Sequence, residues 1–213
     1  VCAEFSPFPE ESVLFGVGMD ERPVVYNISD PHSPNTVVWD RIVGQGLKLI
    51  KVAIEFILRY KNQSHYHTEF VIISNNAEEW KNLGEHGLGV WNKNECIAVV
   101  PFLDVVTEKV LFALVGWCEG RRGSKKPVIL FVDGLENLKG MSEDAQHNFR
   151  HVMMLGRKRN VYIVGTAKSE NRGKLADWLE GFEAEIYGQE EHQWFEMMEG
   201  RKTVLFWTPS TTL

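Results

Sequence analysis

Residues 40–48 have the types and spacing of a loop that could bind phosphate. Such a loop wraps an anion in glycine backbone amides at the start of a helix. Its pattern, G-x-x-x-x-G-K-[ST], adds a lysine for the phosphates and a hydroxyl for Mg²⁺. Gly44, Gln45 and Gly46 match the middle of this pattern, with Gly46 at its second glycine. The sequence therefore indicates a candidate nucleotide-binding loop.

The flanking positions depart from the pattern. Arg41 stands at the first glycine, Leu47 at the lysine and Lys48 at the hydroxyl. A leucine cannot neutralise a phosphate, and the ammonium of Lys48 repels the cation that a hydroxyl would hold. Asp40 adds a negative charge close to the phosphate position. We therefore predict that metal-dependent hydrolysis is lost, and we assign no catalytic residue and no metal ligand.

Two alternatives stay open for this loop. Lys51 lies one turn beyond Leu47 on the same helix face and could replace the missing lysine. The other interpretation is an ordinary glycine turn before a buried helix. The loop residues alone do not separate a relic phosphate loop from such a turn.

A second acidic position follows a predicted strand. Residues 128–132 are continuously apolar and end at Asp133, in the form of a Walker B strand whose aspartate holds the water shell of Mg²⁺. Hydrolysing enzymes place a glutamate next, whereas Gly134 follows here and the nearest acid is Glu136. The alternative is that Asp133 caps the following turn.

Strands that alternate with helices must position these loops. Short apolar runs predict strands at residues 36–39, 70–73, 96–100, 128–132, 161–164, 184–187 and 203–207. Helix patterns cover residues 47–60, 105–119, 142–155 and 174–179, with Asp104 and Ser142 as N-terminal caps of the second and third. This alternation predicts an α/β fold with a mainly parallel sheet, helices on both faces, and ligands at the carboxyl ends of the strands.

The length of 213 residues fits one domain. Residues 13–17 and 23–26 read as an N-terminal β-hairpin. We predict a single domain over residues 1–213, with the N-terminal segment and hairpin in 1–35 and the core in 36–213.

Composition excludes several classes of function. A net charge of -6 argues that nucleic acid does not cover the surface. Cys2, Cys96 and Cys118 have no metal-ligand spacing and read as reduced, cytosolic thiols. No apolar run is long enough to span a membrane. We expect a cytoplasmic location, with membrane contact only through a longer parent chain, which the start at Val1 suggests.

Histidine and basic clusters receive structural interpretations. Residues 65–67 contain two histidines, and His147 and His151 share a helix face, but neither group has a third ligand nearby. Residues 157–159 are basic, with Arg150 in the preceding helix. We favour a solvated helix C-terminus for them, where positive charge suits the helix dipole, over contact with nucleic acid, an acidic partner or a neighbouring subunit.

Several stretches together resemble the ATPase domains of the FtsK/SpoIIIE class in the HerA/FtsK superfamily. They are the hairpin at residues 13–25, the degenerate loop, the helix at 110–122 that ends in Arg121 and Arg122, and residues 155–167. Thr166 falls at the family's sensor threonine, and Ala167 replaces its glutamine. The resemblance spans roughly residues 13–207 and implies a three-layer, RecA/FtsK-like P-loop fold.

Within that class, the chain is similar to a later module of the type VII secretion coupling ATPases, the EssC/EccC-like proteins. Such modules are often degenerate at both nucleotide motifs. The resemblance implies a pseudo-ATPase that binds substrate or regulates the motor, and no bound ATP or Mg²⁺ is expected. The relic nucleotide site would comprise Gly44, Gln45, Gly46, Lys48, Asp133 and Thr166.

The resemblance also implies partners. They are sister ATPase modules of the same chain or ring and the signal of a secreted protein, with nucleic acid not expected. The alternative is an active DNA-translocating or genome-packaging ATPase with a deviant phosphate loop. A third alternative is a small protein that uses the fold for an unrelated ligand.

Overall fold

A computed structural model describes residues 12–28, 30, 32–60, 68–76, 79–80, 97–103, 105–120, 127–191 and 193–209. Its strands are β1 (Ser12–Gly18), β2 (Pro23–Asn27), β3 (Thr36–Asp40), β4 (Glu69–Ile73), β5 (Ile97–Val100), β6 (Val128–Val132), β7 (Val161–Lys168), β8 (Ala184–Gly188), β9 (Trp194–Glu199) and β10 (Lys202–Trp207). Its α-helices are α1 (Gln45–Tyr60), α2 (Val105–Cys118), α3 (Glu143–Leu155) and α4 (Ala176–Leu179). Shorter 3-10 helices cover Leu135–Gly140, Gly156–Arg159 and Ser169–Leu175.

All these strands join one sheet in the order β2-β1-β10-β9-β8-β3-β7-β6-β4-β5. The strands from β8 to β5 run parallel to one another. The strands β9, β10, β1 and β2 extend the sheet through antiparallel pairs. The predicted α/β fold and the N-terminal hairpin are confirmed, and the hairpin continues the same sheet through β10.

Helices cover both faces of the parallel region. Alternate side chains of β3 separate into two clusters, with Val37 and Trp39 beside α2 and α3, and Val38 beside α1. All five residues of β6 are buried, as expected for a strand that is covered on both sides. The predicted three-layer arrangement is therefore confirmed.

Several local predictions hold. Ser142 caps α3, because its Oγ accepts the N–H of Ala145 at 3.2 Å. Polar residues of α1 lie outside the core, since Lys48 is exposed and Lys51 and Glu55 are half-buried. Among the described helices, none is both long and apolar enough to cross a bilayer.

Other local predictions were wrong or incomplete. The sequence pattern missed β9, whose two glutamates interrupt the apolar alternation but which pairs with a strand on each side. The strand predicted to end at Val164 continues as β7 to Lys168, through small residues that pack closely against the loops. The helix predicted over 174–179 is the end of a 3-10 helix followed by the single turn of α4.

Some predictions lie outside the described residues. They concern Cys2, Cys96, the histidines at 65 and 67, Asp104 as a cap, and Arg121 and Arg122. Within the described part, no group of His, Cys, Asp or Glu is arranged to hold a metal ion.

Asn35 joins three segments just before β3. Its side chain is buried. The Nδ2 group donates to the carbonyls of Met153 at 3.1 Å and Gly181 at 3.0 Å. The Oδ1 atom accepts the N–H of Ile163 at 3.0 Å. This one amide therefore fixes the start of β3 against α3, β7 and the turn before β8.

Candidate functional site

The carboxyl edge of the parallel region gathers polar side chains from four adjacent strands. Asp40 ends β3, Thr166 lies near the end of β7, Asp133 follows β6 and Ser74 follows β4. Ligands of open parallel sheets bind at this edge. The candidate site is therefore the region between the loop 40–46 and Asp133.

Asp40 occupies the amides of the candidate phosphate loop. Its Oδ1 accepts the N–H of Gly46 at 2.6 Å, and its Oδ2 accepts the N–H of Gly44 at 3.1 Å. These N–H groups lie at the start of α1, where backbone amides and the helix dipole favour an anion. The anion that this loop binds is thus the carboxylate of the chain itself.

The surroundings of Asp40 disfavour further negative charge. Burial raises the pKa of the Asp40 carboxyl above its ordinary value, although the amides of Gly46 and Gly44 act in the opposite direction. The charges of Asp133 and Glu136 raise this pKa as well. Three carboxyl groups therefore already share the region where a triphosphate would lie.

Gln45 binds two further amides of the loop. Its side chain is buried, and its Oε1 accepts the N–H of Ile42 at 2.9 Å and that of Arg41 at 3.2 Å. Its Nε2 donates to the carbonyls of Gln189 at 2.7 Å and Glu191 at 3.4 Å. The amides of residues 41, 42, 44 and 46 thus all have acceptors within the chain, and the loop is tied to the β8–β9 connection.

Each glycine of the loop has a structural reason of its own. Gly44 has φ +86°, a left-handed conformation that other residues rarely adopt. A β-carbon on Gly46 would lie 2.7 Å from Cγ2 of Thr166, so α1 can approach β7 closely only with glycine there. The loop keeps the geometry of a tight strand-to-helix turn, as both sequence interpretations require.

The lysines near the loop, and Leu47 at the lysine position of the pattern, are not arranged to bind phosphate. Lys48 is exposed at the start of α1, and Leu47 packs partly against the core on the α1 face. The Nζ of Lys51 lies 2.8 Å from the Glu79 carboxylate. An ammonium paired in this way does not serve as a replacement for the missing loop lysine, so that alternative loses its support.

Two hydroxyl groups hold Asp133. Ser74 donates to its Oδ2 at 2.7 Å, and Thr166 donates to its Oδ1 at 3.3 Å. Thr166 also accepts the N–H of Gly134 at 2.9 Å. The 3-10 helix that follows has no side-chain cap. Asp133 therefore binds across the sheet edge and does not cap the next turn, the alternative that the sequence had left open.

The position of the missing glutamate favours glycine. Gly134 has φ +89°, and a β-carbon there would lie 2.7 Å from Nδ2 of Asn137. The nearest acid is Glu136, whose Oε1 accepts from Nδ2 of Asn171 at 3.4 Å and whose Oε2 is buried without a hydrogen-bond partner among the described residues. A glutamate at position 134, the usual water-activating residue, would therefore be strained.

A polar cluster beside β3 was not expected from the sequence. Glu185 accepts from Nε1 of Trp39 at 2.7 Å, from Tyr187 at 2.5 Å and from Arg172 at 3.0 Å. The Arg172 guanidinium also lies 5.5 Å from the centre of the Trp39 ring. This cluster joins the 3-10 helix Ser169–Leu175 to β8 and to the end of β3.

Arg150, Arg157 and His151 have intramolecular contacts. Arg157 pairs with Glu183 at 2.5 Å, and the Arg150 guanidinium lies 4.1 Å from the centre of the Trp178 ring. His147 is exposed, while Nε2 of His151 lies 3.7 Å from the Glu119 carboxylate. These contacts favour the structural interpretation of both groups.

Of the six residues assigned to the site from the sequence, the structure brings four together and places two elsewhere. Gly44, Gly46, Thr166 and Asp133 form one continuous set of contacts. Gln45 points toward the β8–β9 connection and Lys48 is exposed. Sequence reasoning treated Asp40 only as an unfavourable charge and did not identify Ser74. The sequence could have identified both residues, because each is a polar residue at the carboxyl end of a buried strand.

A substitution at Gly188 tests the hydrogen bonds that join Gln45 to the β8–β9 connection. A β-carbon on Gly188 would overlap the Gln45 side-chain amide. We expect Gly188→Ala to lower the free energy of unfolding by about 1–3 kcal/mol, because a buried, fully bonded amide must move. In a Gln45→Ala background the same change should cost less than about 1 kcal/mol, since the overlap is gone.

Urea unfolding of the two single variants and the double variant measures this coupling. Gly173→Ala is the matched control, because no atom lies within 4 Å of a β-carbon there, and its effect should stay within about 0.5 kcal/mol. Additive costs in the double variant would show that Gln45 and Gly188 are not coupled.

Comparison with known proteins adds information on the fold. No protein-family model matches the chain, and no curated protein matches it by sequence. Among solved structures it is similar to one described as an ATPase, at 11% identity and a TM-score of 0.71, covering 98% of this chain and 91% of that one.

Two further structures carry more specific descriptions. One is Thermomonospora curvata EccC (ATPases 2 and 3) in complex with a signal sequence peptide, at 12% identity and a TM-score of 0.69, covering 96% of this chain and 41% of that one. The other is B204, the DNA-packaging ATPase from Sulfolobus turreted icosahedral virus, at 11% identity and a TM-score of 0.54, covering 82% and 98%. The chain thus has the P-loop ATPase fold of such modules, as the resemblance to FtsK-like and EssC/EccC-like domains implied.

Proposed function

We propose that the chain is a non-hydrolytic module with an FtsK-like ATPase fold, which binds substrate or regulates its neighbours within a type VII secretion motor. One observation carries this proposal. The Asp40 carboxylate accepts the loop amides of Gly44 and Gly46 that would otherwise receive a phosphate. Leu47, at the lysine position, supplies no charge to compensate for an incoming anion.

The energies of charge repulsion and of hydrogen bonding indicate that a nucleotide does not readily displace Asp40 from the loop. Two like charges 4 Å apart repel by about 4 kcal/mol at an effective dielectric constant of 20. A hydrogen bond to a charged group contributes about 1.5–3 kcal/mol. Two amides would contribute about 3–6 kcal/mol, so repulsion by the Asp40 carboxylate alone offsets most of that gain, and Asp133 and Glu136 add to the repulsion.

The likeness to EccC supports the proposed setting. That structure contains two ATPases and a signal sequence peptide, and this chain spans 41% of its length, which is close to one ATPase module. We propose sister ATPase modules and the signal of a secreted protein as partners. The corresponding place of action is the cytoplasm, with the membrane reached only through a longer parent chain.

A second candidate function is an active DNA-translocating or packaging ATPase with a deviant phosphate loop. Its support is the likeness to B204 and the retention of Asp133, held by Ser74 and Thr166 at the expected strand end. This candidate requires phosphate release that DNA stimulates and that Asp133→Ala abolishes.

Titration calorimetry with Mg-ATP and Mg-ADP on the purified chain tests the proposal. We expect no binding heat up to about 1 mM nucleotide, so any complex is weaker than about −4 kcal/mol. We also expect no phosphate release above the blank, with or without DNA. Micromolar nucleotide binding, or DNA-stimulated turnover lost in Asp133→Ala, would refute the non-hydrolytic function and favour the second candidate.

A further inference from the structure

Alternate side chains of β9 and β10 point to the two faces of the sheet. Phe195 and Phe206 lie in the core on the α1 side. The residues on the other side define the β9–β10 face, and none of them belongs to the core cluster beneath α2 and α3. They are Trp194, Glu196, Met198, Thr203, Leu205 and Trp207. Met198 is 42% and Leu205 is 40% exposed, so this face is partly open to solvent.

Glu196 lies in the middle of the β9–β10 face. Along its own strand, Trp194 and Met198 are each two residues away and point to the same side. On the neighbouring strands, Leu205 and Tyr187 stand directly opposite Glu196. Such opposed residues have their β-carbons about 4.5–5.5 Å apart. The carboxylate therefore has a large aromatic or apolar side chain in each direction.

The contacts of Glu196 within the chain do not balance its charge. Its Oε2 accepts from Nε2 of Gln189 at 3.4 Å, which is a long hydrogen bond from a neutral amide. Among the described residues, no lysine or arginine forms an ion pair with it. Lys202, the basic residue of β10, is opposite Glu199 and so points to the other face. A half-buried carboxylate among apolar groups gains from a cation supplied by a partner.

The adjacent carboxylate on this side of the sheet shows which cation such surroundings hold. Glu185 lies on β8, two residues before Tyr187. Arg172 donates to Glu185 at 3.0 Å, and its guanidinium lies 5.8 Å from the centre of the Tyr187 ring. A carboxylate beside an aromatic ring thus binds a guanidinium here. Glu196 repeats this arrangement without a cation from its own chain.

We propose that the β9–β10 face binds an arginine side chain of a protein partner. The guanidinium pairs with the Glu196 carboxylate and lies against the Trp194 ring, while Met198 and Leu205 contact apolar groups beside the arginine. A planar guanidinium can stack on a ring and form two parallel hydrogen bonds to a carboxylate, which an ammonium group cannot.

Charge argues for this occupant over a second copy of the chain. Two copies that met through the β9–β10 face would bring two Glu196 carboxylates into one apolar interface, and each chain has a net charge of -6. This inference does not depend on the proposed function, because it uses no residue of the loop 40–46.

An NMR titration of the purified chain tests the proposal. The probe is a tripeptide amide with arginine between two leucines, and the readout is the indole N–H signal of Trp194, assigned through Trp194→Phe. We expect a Kd on the order of 1 mM, as one cation–π contact and one ion pair would give. Tripeptides with norleucine or lysine in place of arginine should bind at least about threefold more weakly.

A matched pair of variants tests the role of the carboxylate. Glu196→Gln keeps the shape of the side chain and should raise the Kd for the arginine peptide at least about fivefold. Glu199→Gln makes the same change in the same strand on the opposite face, and it should leave the Kd unchanged. Circular dichroism confirms that both variants are folded.

Four results would overturn the proposal. They are no binding of the arginine peptide, equal binding of the norleucine or lysine peptide, an unchanged Kd in Glu196→Gln, and self-association of the native chain that Leu205→Glu abolishes. The last result would assign the β9–β10 face to a second copy of the chain.

Discussion

Replacing Asn35 by alanine is expected to lower the free energy of unfolding by about 3–5 kcal/mol. The change removes the partner of three backbone groups, the carbonyls of Met153 and Gly181 and the N–H of Ile163. Each buried polar group left without a hydrogen bond costs about 1–3 kcal/mol. Because Asn35 itself is buried, water does not readily take the place of its amide.

Urea denaturation followed by circular dichroism measures this loss. Asn35→Asp retains an acceptor for Ile163 but loses both donors and buries a charge, so it should be at least as destabilising as alanine. Asn76→Ala, at an exposed position, should change stability by less than about 0.5 kcal/mol. A loss below about 1 kcal/mol in Asn35→Ala would show that the amide does not hold the three segments together.

Restoring the phosphate loop is expected to create nucleotide binding. In the triple variant Asp40→Ala, Leu47→Lys and Lys48→Thr, the amides of Gly44 and Gly46 become free, and the lysine and hydroxyl of the pattern return. We expect the Kd for Mg-ATP to fall from above about 1 mM to about 10–100 µM, a gain of about 1.4–2.7 kcal/mol. Hydrolysis should stay absent, because Gly134 holds a backbone conformation unsuited to glutamate.

The matched control keeps Asp40 and carries only Leu47→Lys and Lys48→Thr. Titration calorimetry should detect no binding there, because the carboxylate still fills the loop. Equal affinity of the double and triple variants would show that Asp40 does not block the site. Absence of binding in a correctly folded triple variant would mean that the loop lacks the geometry of a phosphate site.

The layers of the fold could be predicted because each buried element leaves a local pattern. The apolar run Val128–Val132 and the cap at Ser142 are such signals, and both were located correctly. The strand β9 could not be predicted in this way. Its residues Trp194–Glu199 mix acids with large apolar side chains, and pairing with β8 and β10 determines their conformation.

The candidate site could be predicted only in part, for a related reason. The order of motifs located Gly46, Asp133 and Thr166, which meet at one edge of the sheet. The direction of Gln45 could not be foreseen, because its side chain binds carbonyls at residues 189 and 191, far along the chain. The role of Asp40 depends on a close approach of its carboxylate to two amides that only the folded loop produces.

The bridge from Gln45 to the carbonyls of Gln189 and Glu191 has a mechanical consequence. Here the loop is clamped to the segment that leads into β9, and its ligand is a permanent part of the chain. A change in the shape of the loop therefore requires these hydrogen bonds to break, which holds the start of α1 and the segment leading into β9 in one arrangement.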